Sequence, residues 1–342
     1  MTPTLMIVDG NYLLHRVMRL DNFAALETTD GMVTGGVYGV LTLLRNYLIQ
    51  YSSVSRCVFV WDGGHSQRRV MIHPEYKMNR PKNDPEQAQT EEAYMRMWCS
   101  QRQILEEILR DFGIISLRVP EREGDDVIGL IVYQYPETAK VVVTDDQDLL
   151  QLVAPGCVVF RPLAKEEISL ENFEKAVGVP PSFYLLLKAI NGDESDNIPG
   201  IDGVGGKTAQ KIVQEVASCF PPKVVAPGTM SCMGTYSEDA WCDLLQKHLP
   251  EACTALVAKD TRGGRRYRAV AANIERVATN LALMDISLEH FSAYERAVVT
   301  QVLGTECYPF NFMKVQTRIQ KLQFGSALKS LSAWVAPFER LC

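Results

Sequence analysis

Glu123-Gly124-Asp125-Asp126-Val127-Ile128-Gly129-Leu130-Ile131, followed by Val141-Val142-Val143-Thr144-Asp145-Asp146-Gln147-Asp148, is the stretch on which the reading of this chain turns. The apolar residues after Asp126 recur at helical spacing, and the valine run reads as a buried strand. Acids therefore crowd the start of a helix and the end of a strand. A helix start tolerates negative charge because its free N–H groups carry partial positive charge. Several carboxylates within a few ångströms of one another repel, however, and some take up protons unless cations sit among them. In an open α/β sheet, the carboxyl ends of the strands are where ligands bind.

Working outward, the same pattern recurs twice. Thr4–Val8 is a short apolar run ending at Asp9, and Cys57–Trp61 is another ending at Asp62-Gly63-Gly64. A single strand-end aspartate is usually a turn former or a helix cap. Three of them, joined by Glu123–Asp126, predict a shared site. Between the strands, Tyr12–Leu20, Gly36–Gln50 and Thr90–Asp111 read as helices. Strands that alternate with helices and end in acids predict an α/β fold with a largely parallel central sheet.

The chain has 342 residues, enough for a large core and more than one subdomain, and a net charge of −6. That total argues against a nucleic-acid binder only until its distribution is considered. With the candidate ligand acids set aside the remainder is basic. The amino terminus lacks a basic segment followed by an apolar core, which predicts no secretory signal, and no apolar run approaches a membrane span. Nine cysteines without CxxC pairs predict reduced thiols in a cytoplasm. Cys232, Cys242, His248 and Cys253 are too irregularly spaced to point to zinc.

Two further segments carry chemistry. His73-Pro74-Glu75-Tyr76-Lys77-Met78-Asn79-Arg80-Pro81-Lys82 is polar and basic. It reads either as a solvated loop or as a lid over the acids that handles an anionic substrate. Ile201-Asp202-Gly203-Val204-Gly205-Gly206-Lys207-Thr208, between two short helices, has the apolar–Gly–apolar–Gly pattern of a helix-hairpin-helix, which grips a duplex backbone without reading bases. It is not a Walker A loop: Lys207 does not directly follow Gly205, and no strand precedes it. The Pro221–Arg268 stretch reads as an irregular insertion closed by a basic turn, Gly263–Arg268. Lys314, Arg318 and Lys321 share one helical face in the carboxyl-terminal tail.

Taken in order, Val8-Asp9-Gly10, Trp61-Asp62-Gly63, Pro74-Glu75-Tyr76-Lys77 with Asn79-Arg80, Glu123 with Asp125-Asp126, Thr144 with Asp146 and Asp148, and Lys188-Ala189-Ile190 with Gly192-Asp193, Asp196-Asn197 and Ile198-Pro199-Gly200 resemble the 5′ nuclease superfamily of flap endonucleases and 5′→3′ exonucleases. The likeness is greatest to free-standing bacteriophage and bacterial members. It runs from Met6 to about Val216, with an echo at Asn280–Asp285. It implies a PIN-like core at 1–178 with a helical arch at 73–112, a helix-hairpin-helix (H3TH) region at 179–220, an insertion at 221–270 with no counterpart, and a helical part at 271–342. The reading predicts no fused polymerase domain.

The resemblance also implies two groups of divalent metals. Asp9, Asp62, Glu123, Asp125 and Asp126 would lie nearer the first, and Asp146, Asp148, Asp193 and Asp196 nearer the second, with Asp125 and Asp146 between. Oxygen-rich sites suit Mg²⁺ or Mn²⁺. Two such ions about 4 Å apart activate water and stabilise a leaving 3′-oxygen. Lys77 and Arg80 would stabilise charge at the scissile phosphate, Tyr76 would stack a terminal base, and Lys188 would contact a phosphate. A K⁺ ion would take backbone carbonyls of Ile190, Asn191, Pro199, Ile201 and Val204, with Gly203, Gly205, Lys207 and Thr208 facing DNA. Gly124 and Asp145 depart from the family, which commonly has alanine and glycine there. Asp145 reads as a solvent-facing turn or as a water-mediated ligand.

The expected partner is duplex DNA with a 5′ flap or 5′ end, or an RNA–DNA primer hybrid, met by a monomer away from membranes. The alternatives are a non-catalytic junction-binding scaffold and an acid-cluster ribonuclease.

Overall fold

The computed structural model describes residues 4–20, 26–78, 85–219, 238–260, 262–286, 291–305 and 308–341. Six strands form one sheet: β1 (Thr4–Asp9), β2 (Val54–Trp61), β3 (Ile114–Arg118), β4 (Ala139–Val143), β5 (Cys157–Arg161) and β6 (Glu166–Ile168), in the order β3-β2-β1-β4-β5-β6. All neighbours are parallel except β5 and β6, which close the sheet as an antiparallel pair. The three strands expected from the sequence are the three central ones.

The central strands read as continuous apolar runs because both of their faces are covered. Side chains alternate faces along a strand. Leu5, Ile7, Val58 and Val60 accordingly enter one core, while Met6, Val8, Cys57, Phe59 and Trp61 enter the other. The first core continues into the helices of the central and carboxyl-terminal chain. The second is closed by α1 (Gly10–Met18), α2 (Gly35–Gln50) and α4 (Pro85–Leu109), with Val315, Phe338 and other residues of the tail.

Strand order fixes the site. The chain moves from β1 to β2 on one side and returns to β4 on the other, so a switch in winding direction falls beside β1. Asp9 ends β1, Asp62 follows β2, and Asp146 lies just beyond β4. Neighbouring strands are about 4.8 Å apart, so these acids share one sheet edge. Helices α3 (Gln67–Ile72) and α5 (Gly124–Gln134) bring further side chains to that edge.

Beyond the sheet come α6 (Phe173–Val177), α7 (Tyr184–Asn191), α8 (Gly206–Cys219), α9 (Leu249–Lys259), α10 (Gly264–Ala271) and α11 (Ile274–Met284). Two expectations need correction. The described end of the insertion is helical, with α9 packed on α8. The basic turn is the start of α10, whose Tyr267 and Val270 are buried one turn apart. No helix among the described residues is long and apolar enough to cross a membrane.

Candidate active site

Asp9 caps α1: its Oδ1 accepts from the Tyr12 amide at 2.9 Å, and its Oδ2 accepts from Thr144 Oγ1 at 3.0 Å. The same Thr144 hydroxyl oxygen accepts from the Asp146 amide at 3.0 Å, so one side chain ties the ends of β1 and β4 together. Asp62 Oδ1 accepts from the Gly124 amide at 2.6 Å. A β-carbon at position 124 would lie only 2.9 Å from that oxygen, so glycine leaves room for the contact.

Asp9, Asp62, Asp125 and Asp146 form a floor that no ion pair reaches among the described residues. They act on each other electrically. Burial pushes the Asp9 carboxyl up to about 7, with Asp146 and Asp62 adding to the rise. Burial and the charges of Asp146 and Asp9 hold Asp125 well above the usual carboxylate range. Asp146 is pushed up to about 6 by desolvation and by Asp148, although its side chain is open to water, which softens the effect. No three acid, imidazole or thiol groups converge on one point among the described residues. The floor acids are neighbours through charge, and an all-oxygen set of mutually repelling carboxylates is the donor chemistry a hard divalent cation fits.

The other acids are paired with protein cations and form a rim. Arg69, a residue the sequence reading passed over, is 4% exposed. Its guanidinium donates to Glu123 Oε2 at 2.6 Å, grips Asp126 through two bonds of 2.9 and 2.7 Å, and donates from Nε to the Leu283 carbonyl at 2.7 Å. Asp126 therefore faces Arg69 rather than the floor, a correction to its expected place among the metal ligands. The signal for Arg69 was weak, because an arginine in a short amphipathic helix is ordinary until its partners are known.

Lys77 Nζ donates to Glu123 Oε1 at 2.9 Å and lies 3.6 Å from Asp196 Oδ2. Its backbone is left-handed, at φ 57°, and its amide donates to the Asp196 carbonyl at 2.9 Å. Burial opposes ionisation of Glu123, but Lys77 and Arg69 outweigh it and hold the carboxyl below its ordinary range. Lys188 bridges Asp148 and Asp193 at 2.8 and 2.9 Å. Desolvation disfavours its charge, yet these two carboxylates raise its pKa. Lys188 thus ties the two acids of the second group together.

Tyr76 is a further correction. It is 6% exposed, its hydroxyl donates to Glu123 and Asp196 at 2.9 and 3.1 Å, and Lys77 and Arg69 lie over its ring. In this arrangement it offers no open face to a base. Asp145 is half-buried rather than a solvent-facing turn. Its carboxylate meets Tyr12, Arg16, Arg161 and the Leu163 amide, away from the floor. Arg80 lies outside the described residues, as does Cys232 of the irregular thiol cluster. Cys253 of that cluster is buried, and desolvation pushes its thiol up to about 12.

In the hairpin between α7 and α8, Gly203 is left-handed at φ 75°, and Gly203, Gly205 and Lys207 are exposed with Thr208 half-buried. The Ile190 carbonyl accepts from the Ile201 amide, and that of Ile201 from the Val204 amide, both at 3.0 Å. Pro199 O accepts from Asn280 Nδ2 at 2.9 Å, and the same amide group donates to Ala189 O at 2.8 Å. Each carbonyl oxygen has a second lone pair. Asn191 O approaches Gly200 so closely that a β-carbon there would overlap it, while Val204 is buried beneath the turn.

A family model described as the 5′-3′ exonuclease, N-terminal resolvase-like domain, matches residues 4–178. A 5′-3′ exonuclease of Aquifex aeolicus is 34% identical over 221 residues, covering 63% of this chain and 70% of its own length. One from Buchnera aphidicola is 30% identical over 214 residues, covering 62% and 70%. DNA polymerase I of Mycobacterium tuberculosis is 34% identical over 222 residues, covering 63% of this chain and 23% of the polymerase. Among solved structures, the bacteriophage T5 D15 flap endonuclease in complex with DNA and metal ions matches with a TM-score of 0.61 over 93% of this chain and 99% of its own, at 18% identity, a likeness of fold. The sequence matches and the acid-lined sheet edge agree, and the chain belongs to the 5′–3′ exonuclease family, within the 5′ nuclease superfamily.

Proposed function

We propose that this protein is a Mg²⁺-dependent, structure-specific 5′ nuclease that hydrolyses phosphodiesters where a 5′ single strand meets duplex DNA. The observation that carries the reading is the floor of Asp9, Asp62, Asp125 and Asp146, four carboxylates on neighbouring elements with no protein cation bonded to them among the described residues. Divalent ions held there supply an activated water and charge for the leaving 3′-oxygen. Thr144 keeps Asp9 and Asp146 in register, and the Gly124 amide orients Asp62.

Lys77 is held at the boundary of the two acid groups by Glu123, from which it can turn its ammonium to the scissile phosphate. Arg80 is assigned to the same phosphate from its place in the motif. Lys188 keeps Asp148 and Asp193 together and shares its charge with the incoming backbone. The hairpin from Gly203 to Thr208 meets the duplex through amides and Lys207, and K⁺ is the ion its carbonyls are suited to hold. The segment 73–112 acts as the arch over the single strand.

Single-turnover cleavage of a 5′-labelled flap duplex, in Mg²⁺ and in EDTA, beside a matched single-stranded RNA, tests this. Mg²⁺-dependent cutting near the junction with the RNA intact is expected. Tight junction binding without cutting would instead identify a scaffold, and cutting of the RNA alone a ribonuclease.

A further inference from the structure

We infer that α10 extends the duplex-binding surface beyond the helix-hairpin-helix, as a second contact for the DNA backbone that rests on the 5′ nuclease reading above. Arg262, Arg265, Arg266 and Arg268 fall within seven consecutive residues, and all four are exposed. None has a carboxylate partner among the described residues, whereas the neighbouring Lys259 is paired with Glu215 of α8 at 2.6 Å. Four uncompensated like charges on one short segment repel one another. An anionic backbone relieves that repulsion.

The segment is rigidly presented. Asp260 accepts from the Gly263 amide at 3.2 Å and from the Tyr267 hydroxyl at 2.9 Å, and the Tyr267 ring is buried. This fixes the start of α10 with its arginines outward. A β-carbon on Gly263 would collide with the Tyr267 ring, so the turn leaves room only for glycine.

Its position is next to the hairpin. Helix α8 opens on the exposed Lys207, and Lys211, one turn on and also exposed, shares that face. Lys211 lies close enough to Asp260 for its charge to act on that carboxyl. Helices α9 and α10 both pack on α8, and the exposed Arg276 reaches the Gly200 carbonyl in the hairpin at 3.5 Å. Basic side chains thus lie on adjoining elements, from Lys207 and Lys211 of α8 to the arginines of α10. Their partner is double-stranded rather than single-stranded nucleic acid. The amide-lined hairpin they adjoin is a phosphate-backbone clamp, and no exposed aromatic side chain stands among them to stack a base.

The test is binding of full-length protein to a junction duplex and to one extended on its double-stranded side, across a range of salt. The R265Q/R266Q/R268Q variant is compared with wild type and with the corresponding triple lysine variant. These side chains are exposed, and unchanged thermal unfolding would show the fold intact. Extension should tighten binding by wild type and by the lysine variant but not by the glutamine variant. The glutamine variant should also lose about 2–3 units of slope in log affinity against log salt, near one per phosphate contact removed. Equal affinity and slope for wild type and glutamine variant would overturn the inference while leaving the nuclease reading intact. Loss of binding to polyglutamate with duplex binding unchanged would overturn it in favour of an acidic protein partner. A wild-type protein that neither binds nor cuts the junction would overturn inference and reading together.

Discussion

Asp9, Asp62, Asp125 and Asp146 on the floor of the site have no ion-pair partner among the described residues, whereas Glu123, Asp126, Asp148 and Asp193 on its rim are bonded to Arg69, Lys77 or Lys188. The two groups are the same chemistry held in opposite ways. On the rim the protein supplies the counter-charge, which holds Glu123 and Asp193 below the usual carboxylate range. On the floor it does not, and burial together with neighbouring carboxylates raises the proton affinities of Asp9, Asp125 and Asp146. The residues proposed to bind an external cation are thereby separated from residues that shape the place proposed for it.

The comparison is sharpest in catalysis. Asp125→Asn should lower single-turnover cleavage by on the order of 10³-fold while junction binding is kept. Asp126→Asn, still folded, should lose much less. Equal losses would erase the distinction between floor and rim.

Stability should divide the two groups the other way. Arg69→Ala leaves Glu123 and Asp126 buried without their partner, which should cost about 3–5 kcal/mol in urea denaturation. A loss near zero would show that solvent can replace the guanidinium. Lys77→Ala should slow the chemical step by about 10²-fold with little loss of junction affinity, read from single-turnover rates against binding. An unchanged rate would confine Lys77 to holding Glu123.

The floor has its own pH signature. Asp9 titrates near 7 in the fold and near 3.8 as a free side chain, so between those values the folded protein binds more protons than the unfolded chain. Stability in EDTA should therefore fall as pH rises from about 4 to 7. Asp9→Asn keeps the cap on α1 and removes the charge. It should stabilise the EDTA-treated protein by about 2 kcal/mol at pH 8 and by little at pH 5, with thermal unfolding as the readout. Added Mg²⁺ should reverse the ranking.

The smallest effect is expected at Asp145, which ties the loop before Asp146 to α1 and β5 through Arg16, Tyr12 and Arg161. Asp145→Asn should weaken Mg²⁺ binding by up to about 10-fold in calorimetric titration, because Asp146 is less firmly placed. Unchanged binding would make the network purely structural.

Much of this arrangement was legible beforehand where the signal is local. The three central strands announced themselves as apolar runs ending in acids, and the hairpin as a glycine pattern between helices. Strands β3, β5 and β6 were not seen. None of them ends in the acids that marked the other three: β3 and β5 end on Arg118 and Arg161, and β6 on Ile168. A motif gives position and not burial, so it does not reveal that Tyr76 is buried with its hydroxyl on Glu123 and Asp196.

The sequence by itself determined the fold class, the sheet edge that gathers the acids, and the family. Strand alternation, capping and glycine turns act over a few residues and can be read in order. Only the tertiary structure decided which acids are neutralised. Arg69 meets Glu123 across 54 positions and Leu283 across 214, and α10 comes beside the helix that follows the hairpin only because it and α9 pack on α8. Charge pairing depends on distances between side chains that the chain brings together after its local elements have formed, and no local pattern encodes them.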